Sequence, residues 1–386
     1  MLQRHTNCSP EILPAGCCLP RIAARYHVAN SKYHSAMSRR EAPELVPPRP
    51  PRGSRATGRV TIIDVAQVAG VSPMTVSRAL KAPELVQQKS RERIMAAIEQ
   101  LGYVPNQAAA TLASARSQVI AVLVPSLTNA VFIETLSGIR DYLAQAGYQF
   151  LIGETGYARA KEEQLIATYL SHAPAGFLLS SSEQHEILQA HPASRTIPAV
   201  RMFDLGRSNS DLSVGFSQSR AGLAVAQHLA RRGYRRIAFI AAQLDPRMMK
   251  RRDGFRKGLR DAGLEAATEV LLPQPTTVDM GAQLLRQVLQ ARPDCDAVFC
   301  CNDDLALGAL FECQRQGIAV PGQLAIAGFN DLSWAACATP SITTVITPRY
   351  DIGYQSAEML VRRLRGQAIE RGRLDLGFEL AVREST

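Results

Sequence analysis

The 386-residue sequence is poor in aromatic residues, with 6% in all and a single tryptophan, and it lacks long apolar runs. A membrane-spanning helix needs ~20 consecutive apolar residues. The longest runs here, such as residues 119–125 and 237–242, are much shorter. The N-terminus also lacks the continuous apolar segment of a secretory signal, because Pro10, Pro14 and Pro20 interrupt it. We therefore expect a cytoplasmic protein that neither spans a membrane nor is secreted.

The eight cysteines include no CxxC pair and no Cys/His spacing typical of zinc. They are typical of reduced thiols, and we expect no metal site. The sequence also lacks a Walker loop, a nucleophile elbow, metal-spaced histidines and a dinucleotide fingerprint. These absences argue against an enzyme and against a bound cofactor.

Charge is distributed unevenly along the chain. Residues 1–116 contain 16 basic and 7 acidic residues, whereas the remaining 270 contain 28 basic and 27 acidic ones. A basic N-terminal third on a neutral body is typical of a module that binds a polyanion. A solvated basic tail would give the same asymmetry, since residues 1–58 alone contain 9 basic and 3 acidic groups. Charge alone leaves both interpretations open.

The first 58 residues contain eight prolines and no sustained periodicity, which predicts a disordered tail. From residue 59 the pattern changes to three short helices. The first ends at Gly70, and the second begins after Ser72, a good N-cap, with Pro73 at its first position. The third spans about 88–101 and ends at Gly102.

A helix, a tight turn and a second helix over residues 61–80 form the geometry that places the second helix in the DNA major groove. An ordinary corner between two helices would have the same spacing. The pattern predicts that Val68, Val76 and Leu80 face the core of this headpiece. It predicts that the outward residues are Ser72, Pro73, Met74, Ser77 and Arg78.

Beyond residue 119, apolar strand-like runs alternate with amphipathic helical stretches. This order is typical of parallel sheets in an α/β fold, and the number of units over 270 residues suits two lobes. We expect the chain to cross between the lobes near 205–216, 329 and 346. The runs predicted as strands are 119–124, 149–152, 176–179, 199–202, 237–241, 297–301 and 324–327.

The residues of the first two helices closely resemble the headpiece of the lactose/galactose repressor (LacI) family. The matching segments are Ile63-Asp64-Val65-Ala66, Ala69-Gly70-Val71-Ser72, Thr75-Val76-Ser77-Arg78 and Leu101-Gly102-Tyr103-Val104-Pro105-Asn106. The resemblance extends through almost all of residues 59–386. It implies an all-α helix-turn-helix headpiece (59–105), a hinge helix (106–116) and an α/β two-lobed core like the periplasmic binding proteins (117–386).

The resemblance also implies which residues contact DNA. Leu112 matches the leucine that family members wedge into the minor groove, a known way of kinking DNA. Pro73 departs from the family, whose members usually have a hydrogen-bond donor at that position. The implied DNA contacts are Thr61, Ser72, Pro73, Met74, Thr75, Ser77, Arg78, Asn106, Ala109, Leu112 and Ala113.

In the core, the resemblance implies an effector site in the cleft between the lobes. Arg251 matches the ligand-clamping arginine and Asp303 matches a carboxylate that accepts hydrogen bonds from ligand hydroxyls. Asp303 could instead cap a helix, and the loop residues could cap the helix that follows them. Phe216 and Asn330 could line the cleft or only fix the hinge. The implied effector contacts are Ser126, Asn129, Phe132, Phe216, Arg247, Arg251, Asp303 and Asn330.

Within the family, four segments look most like repressors of gluconate utilisation, among them 124–129 and 301–306. The resemblance therefore implies a transcriptional regulator controlled by a small sugar acid such as gluconate. Another sugar, a phosphosugar or a ketogluconate remains an alternative effector, and a solute-binding protein for transport is a less favoured alternative function. The implied partners are a pseudo-palindromic double-stranded operator and a second copy of the chain in a homodimer. When bound to DNA, the protein would associate with the nucleoid.

Overall fold

The structure is a computed structural model that describes residues 60–105, 117–206 and 211–386. The predicted tail (1–58) and hinge helix (106–116) lie outside these ranges. The chain divides into two compact units, with the division between Val104 and Pro105. Among the described residues, no helix is long and apolar enough to cross a membrane.

The headpiece consists of three helices and one 3-10 turn, namely α1 (Ile62–Ala69), α2 (Pro73–Lys81), the turn Pro83–Leu85 and α3 (Gln88–Leu101). Gly70 and Gly102 end α1 and α3 in the left-handed conformation. The Ser72 hydroxyl accepts a hydrogen bond from the Thr75 N–H at 3.2 Å, so the predicted N-cap of α2 is confirmed. Small and β-branched side chains together with one tyrosine form the headpiece core: Val65, Ala66, Ala69, Val76, Ala79, Ile94, Ala97 and Tyr103.

The prediction that Val68 and Leu80 face the headpiece core is wrong. Val68 is 43% exposed and Leu80 is 37% exposed. The α1 stripe that enters the core runs through Val65, Ala66 and Ala69, which leaves Val68 to one side. On α2, Val76 and Ala79 occupy the core, and Leu80 lies at its edge.

The first lobe contains a six-stranded sheet in the order β11-β5-β4-β3-β1-β2, in which every pair is parallel. Continuously apolar strands such as β1 and β3 are buried on both faces, as expected of a parallel sheet covered by helices. In chain order its elements are β1 (Val119–Val124), α4 (Ala130–Ala146), β2 (Gln149–Glu154), α5 (Arg159–Ser171), β3 (Gly176–Leu179), α6 (Ser182–Ala190), β4 (Ala199–Phe203) and β5 (Ser213–Gly215), and later in the chain α12 (Arg349–Leu364) and β11 (Arg373–Asp375).

The second lobe repeats this design with the order β12-β10-β9-β8-β6-β7, in which only β12 is antiparallel to its neighbour among the paired strands. Its elements are α7 (Gln218–Arg231), β6 (Ile237–Ala242), α8 (Pro246–Asp261), β7 (Thr268–Leu272), α9 (Val278–Ala291), β8 (Ala297–Cys300), α10 (Asp303–Gln316), β9 (Ala325–Asn330), α11 (Ser333–Cys337), β10 (Thr343–Ile346) and β12 (Glu379–Ala381).

The described chain passes between the lobes at three places. It leaves the first lobe after Gly215, returns between Ile346 and Arg349, and leaves again between Asp375 and Glu379. The predicted crossing near Phe329 is wrong, because that residue lies inside β9, which pairs with β8 and β10 of the second sheet. The third crossing was missed because the three-residue strands on either side of it show no periodicity.

Candidate functional site: a helix-turn-helix surface and an interlobe cleft

The N-terminal half of α2 is exposed, and most of the predicted DNA contacts lie on it or at its start. Ser72, Pro73, Met74 and Arg78 are exposed, and Thr75 and Ser77 are half-buried. Thr61 is the N-cap residue of α1, and both its N–H and its hydroxyl donate to Asp64 Oδ2, at 2.8 and 2.7 Å. The other predicted contacts fall outside the described residues: Asn106, Ala109, Leu112 and Ala113.

The exposed face of α2 also presents positive charge. Arg78 and Lys81 lie in its last turn, and neither makes an ion pair within residues 60–105. Lys81 was not among the predicted contacts. Unpaired arginine and lysine side chains on an exposed helix are the groups that bind DNA phosphates and guanine edges.

In the core, the carboxyl ends of the parallel strands from both lobes face one cleft. This edge of a parallel sheet is where ligands bind in α/β folds. The cleft encloses a cavity of about 70 Å³. Six of the eight predicted effector contacts line it: Asn129, Phe132, Phe216, Arg247, Arg251 and Asn330.

Arg251, on α8, is a buried cation in the cleft, and no carboxylate of the described residues pairs with it. Its two terminal nitrogens donate to the carbonyl oxygen of Cys301 and, at 2.8 Å, to Gln218 Oε1. Its guanidinium carbon lies 3.3 Å from the centroid of the Phe329 ring. The Nε atom is buried and has no hydrogen-bond partner. Burial lowers the pKa of Arg251 to about 10, so the side chain remains charged near neutral pH.

Arg247 lies one helical turn earlier, and unlike Arg251 it has a carboxylate partner. Its guanidinium donates to Asp245 Oδ2 at 3.1 Å, within an ion pair. It also lies 5.8 Å from the Phe132 ring centroid and 5.3 Å from that of Phe203, both in the first lobe. A guanidinium of the second lobe therefore bridges to two aromatic rings of the first, which is a cation–π arrangement.

One ion pair and one bridging arginine join the lobes beside the cleft. Lys250 of α8 pairs with Asp204, which follows β4 in the first lobe. Arg349, at the start of α12, pairs with Glu134 of α4 at 2.7 Å. The same arginine donates to the carbonyl oxygen of Asn330 at the end of β9. These contacts hold the two lobes together in the present arrangement.

Two predicted effector contacts do not line the cavity. Asp303 is fully buried behind the cleft, where its carboxylate accepts hydrogen bonds from the Thr344 hydroxyl at 2.6 Å and the Leu332 N–H at 2.7 Å. The neighbouring Asn302 lines the cavity instead and caps α10. Ser126 closes its own loop, since its hydroxyl accepts from the N–H groups of Thr128 and Asn129 at 3.2 Å.

Several cavity residues carry backbone strain that no sequence pattern revealed. Tyr157, Phe203, Gln243 and Asn330 all line the cavity and have positive φ angles of 58°, 69°, 58° and 110°. Non-glycine residues in this region are uncommon and tend to cluster where ligands bind. The ends of β4 and β6 could have suggested Phe203 and Gln243, whereas nothing in the sequence suggested Tyr157. Burial raises the pKa of the Tyr157 hydroxyl to about 12, so it stays a neutral donor.

Comparisons with known proteins agree with both parts of this geometry. Residues 61–106 match the bacterial regulatory proteins of the lacI family, and residues 226–386 match the periplasmic binding protein-like domain. The chain is 46% identical to the HTH-type transcriptional regulator GntR of Pseudomonas aeruginosa over 87% of its own length and 98% of that protein. The chain belongs to the lacI family. It is a DNA-binding transcriptional regulator, and this confirms the expectation that it is not an enzyme.

Two solved structures extend the comparison. The transcription regulator GntR from Chromobacterium violaceum matches with a TM-score of 0.65 and 50% identity, covering 69% of this chain and 98% of that one. The Lac repressor dimer bound to operator and the anti-inducer ONPF matches with a TM-score of 0.75 and 25% identity, covering 85% and 99%. The predicted fold class, a helix-turn-helix headpiece with a periplasmic-binding-like core, is confirmed.

Proposed function

We propose that this lacI-family regulator is a homodimeric repressor that binds a pseudo-palindromic operator and is released by a small sugar acid such as gluconate. The observation that carries the effector assignment is Arg251. A buried guanidinium with one unpartnered N–H and no carboxylate partner is stabilised by a ligand that supplies an anion. The similarity to the GntR proteins supports the same assignment.

The effector would lie with its carboxylate at the Arg251 side of the cleft. Asn129, Asn302 and Asn330, which line the cavity, would hydrogen-bond to its hydroxyls. Asp303 would bind a hydroxyl directly only after the second lobe rearranged, since Thr344 and Leu332 occupy its oxygens here. Ser126 would support the loop that positions Asn129 rather than contact the ligand.

The DNA side of the proposal rests on the exposed α2 surface and on the family. The second helix would read base edges in each half-site, and a twofold dimer would read two half-sites. The segment 106–116 would form hinge helices on DNA, with Leu112 in the minor groove, and the bound dimer would be found on the nucleoid. Effector binding would change the lobe arrangement and therefore the stability of the hinge helices. The shared coupling free energy would be ~1–3 kcal/mol.

Fluorescence anisotropy of the full chain on a labelled pseudo-palindromic duplex from its own upstream region tests this function. We expect salt-sensitive binding that gluconate releases and that an equal concentration of glucose leaves unchanged. A Leu112→Ala variant should bind the duplex more weakly while binding gluconate normally. Tight, site-selective binding that gluconate does not alter would contradict the effector and leave the DNA-binding function standing.

A further inference from the structure

A second cavity of about 240 Å³ adjoins the cleft between the lobes. The two share four lining residues: Tyr157, Gln243, Asp245 and Arg247. The cleft cavity of about 70 Å³ is small beside the ~300 Å³ at the lower end of ordinary ligand pockets. An effector held at Arg251 and larger than this cavity would extend past these shared residues into the second cavity, called the side cavity below.

The walls of the side cavity carry more negative than positive charge. Glu162, Glu183, Asp204 and Asp245 line it, and Arg247 is the one cation among its lining residues. Two of the carboxylates are neutralised, since Asp245 pairs with Arg247 and Asp204 pairs with a lysine of α8. The other two lining carboxylates are Glu162 and Glu183.

These two glutamates have no ion-pair partner among the described residues. Glu162 is buried, and its Oε1 accepts a hydrogen bond from Gln184 Nε2 at 2.8 Å. Arg159, one turn before Glu162 on α5, is paired with Glu163 instead, at 3.1 Å. Burial raises the pKa of Glu162, and the negative charge of Glu183 raises it further. Glu162 and Glu183 therefore lie close enough for their charges to repel each other.

The two cavities together present opposite electrostatic ends to a ligand. At one end is the buried cation Arg251, whose Nε lacks a hydrogen-bond partner. At the other end are the two uncompensated glutamates and the hydroxyls of Ser181 and Ser182. Carboxylates accept hydrogen bonds from sugar hydroxyls, whereas they repel a phosphate group, which has a charge of about −1.5 to −2 near neutral pH.

We propose that Glu162 and Glu183 determine the charge specificity of the effector site. The site accepts a sugar acid whose only charge is its carboxylate and rejects the same acid with a phosphate at the opposite end. This inference rests on the proposed sugar-acid effector and deepens it, because it distinguishes gluconate from a phosphorylated sugar acid.

Isothermal titration calorimetry of the full chain with gluconate and with 6-phosphogluconate tests the proposal. We expect the phosphate ester to bind at least about 30-fold more weakly, because two like charges at close range in a partly buried site repel by a few kcal/mol. Glu183→Gln should strengthen binding of the ester by about 3- to 10-fold, and Glu183→Lys should do so further. Both variants should change the affinity for gluconate less than the affinity for the ester, so the ratio of the two affinities is the readout.

Glu186→Gln is the matched control, since Glu186 lies on the same helix, is exposed and does not line the side cavity. It should leave both affinities unchanged. Because Glu183 is exposed, its variants should fold, as a thermal melt would verify. Glu162→Gln, at the buried member of the pair, should act in the same direction.

Equal wild-type affinities for the two ligands, or tighter binding of the ester, would overturn the specificity proposal while the sugar-acid effector stood. An affinity ratio that Glu183→Gln and Glu183→Lys leave unchanged would overturn the role of this residue. If neither ligand produced heat while the chain still bound its operator, the proposed effector itself would be wrong, and this inference would fall with it.

Discussion

Arg251 and Asp303 are both buried charged residues, yet their surroundings differ in a way that separates their roles. Arg251 contacts a carbonyl oxygen, an amide oxygen and an aromatic ring, and one of its N–H groups has no partner. Both oxygens of Asp303 are occupied by donors of its own lobe. The first residue keeps an N–H group free in the cleft, as the proposed effector site requires, whereas the second ties the segment after β9 to the start of α10.

Replacing Arg251 by alanine should remove the anion receptor. We expect effector affinity to fall by ~30-fold or more, about 2 kcal/mol, since hydrogen bonds to a charged group contribute about that much. Operator binding in the absence of effector should persist. The measurements are calorimetry with gluconate and anisotropy with operator DNA.

Lys257→Ala on the same helix is the control, because Lys257 pairs with Asp261 on the exposed side of α8. That variant should bind and respond normally. An Arg251→Ala protein that still responded at the ordinary gluconate concentration would show that Arg251 is not the receptor.

Asp303 should make the stability of the core depend on pH. Burial raises its pKa from 3.8 to about 6, which outweighs the hydrogen bonds from Thr344 and Leu332 that lower it. Between these values the folded protein binds a proton that the unfolded chain has lost. The free energy of unfolding should therefore fall as pH rises from about 4 to about 6, by up to ~3 kcal/mol, and the effect should level off above that range.

Urea denaturation of the wild type and of Asp303→Asn across this pH range measures that contribution. The asparagine variant does not titrate, and it can keep both hydrogen bonds, with its Oδ1 accepting from the Leu332 N–H and its Nδ2 donating to the Thr344 hydroxyl. The readout is therefore the slope of the free energy of unfolding against pH. Identical slopes for the two proteins would contradict a raised pKa for Asp303.

Among the elements, α7 and α8 pack closely because each contributes a glycine to the contact. A Cβ atom on Gly254 would lie 1.9 Å from the Ser219 carbonyl oxygen, and one on Gly222 would lie 2.0 Å from the Arg251 carbonyl oxygen. This close approach positions Arg251 beside the first turn of α7, where Gln218 accepts its hydrogen bond. The glycine pair therefore builds part of the cleft wall.

Gly254→Ala should separate these two helices. We expect a loss of about 1–3 kcal/mol in the free energy of unfolding, as for other substitutions that overpack a core, together with weaker effector binding. Gly322→Ala is a suitable control, since its Cβ would meet nothing closer than 3.6 Å. Chemical denaturation and calorimetry of both variants check this, and equal stability of the two would contradict the close contact.

Element boundaries were predicted well where the signal was local. The bounds of α3, β1 and β3 agree with the predictions, because capping glycines and continuous apolar runs identify such elements. Five strands were not predicted, namely β5, β7, β10, β11 and β12. Three of them, β5, β11 and β12, have three residues each, too few to show periodicity, and are held by neighbours distant in the chain.

At the scale of the whole molecule, the edge strand β2 leaves apolar side chains uncovered. Leu151 and Ile152 are each 41% exposed, and β2 pairs on one side only, with β1. An exposed apolar edge strand favours association with another chain. A second copy of the chain, as in the proposed homodimer, would cover it.

Ile152→Lys should therefore weaken the dimer. Burying this side chain contributes about 1.5–3 kcal/mol, which corresponds to roughly a 10- to 100-fold rise in the dimer dissociation constant. Leu85→Lys changes an exposed residue of the headpiece and should have no effect in the absence of DNA. Analytical ultracentrifugation measures both, and an unchanged dissociation constant for Ile152→Lys would exclude this edge from the interface.

The sequence by itself determined the helix-turn-helix, most strands of the core and six of the cavity residues, because caps, apolar periodicity and family motifs are local signals. Only the tertiary structure decided which side chains face the cavity. In the tertiary structure Tyr157 lines the cleft cavity and Asp303 is buried outside its lining. Glu162 and Glu183 line the same side cavity as the Asp245–Arg247 ion pair. These outcomes depend on how two sheets and their helices meet. Contacts between residues far apart in the chain, set by packing and charge, leave no pattern along the sequence.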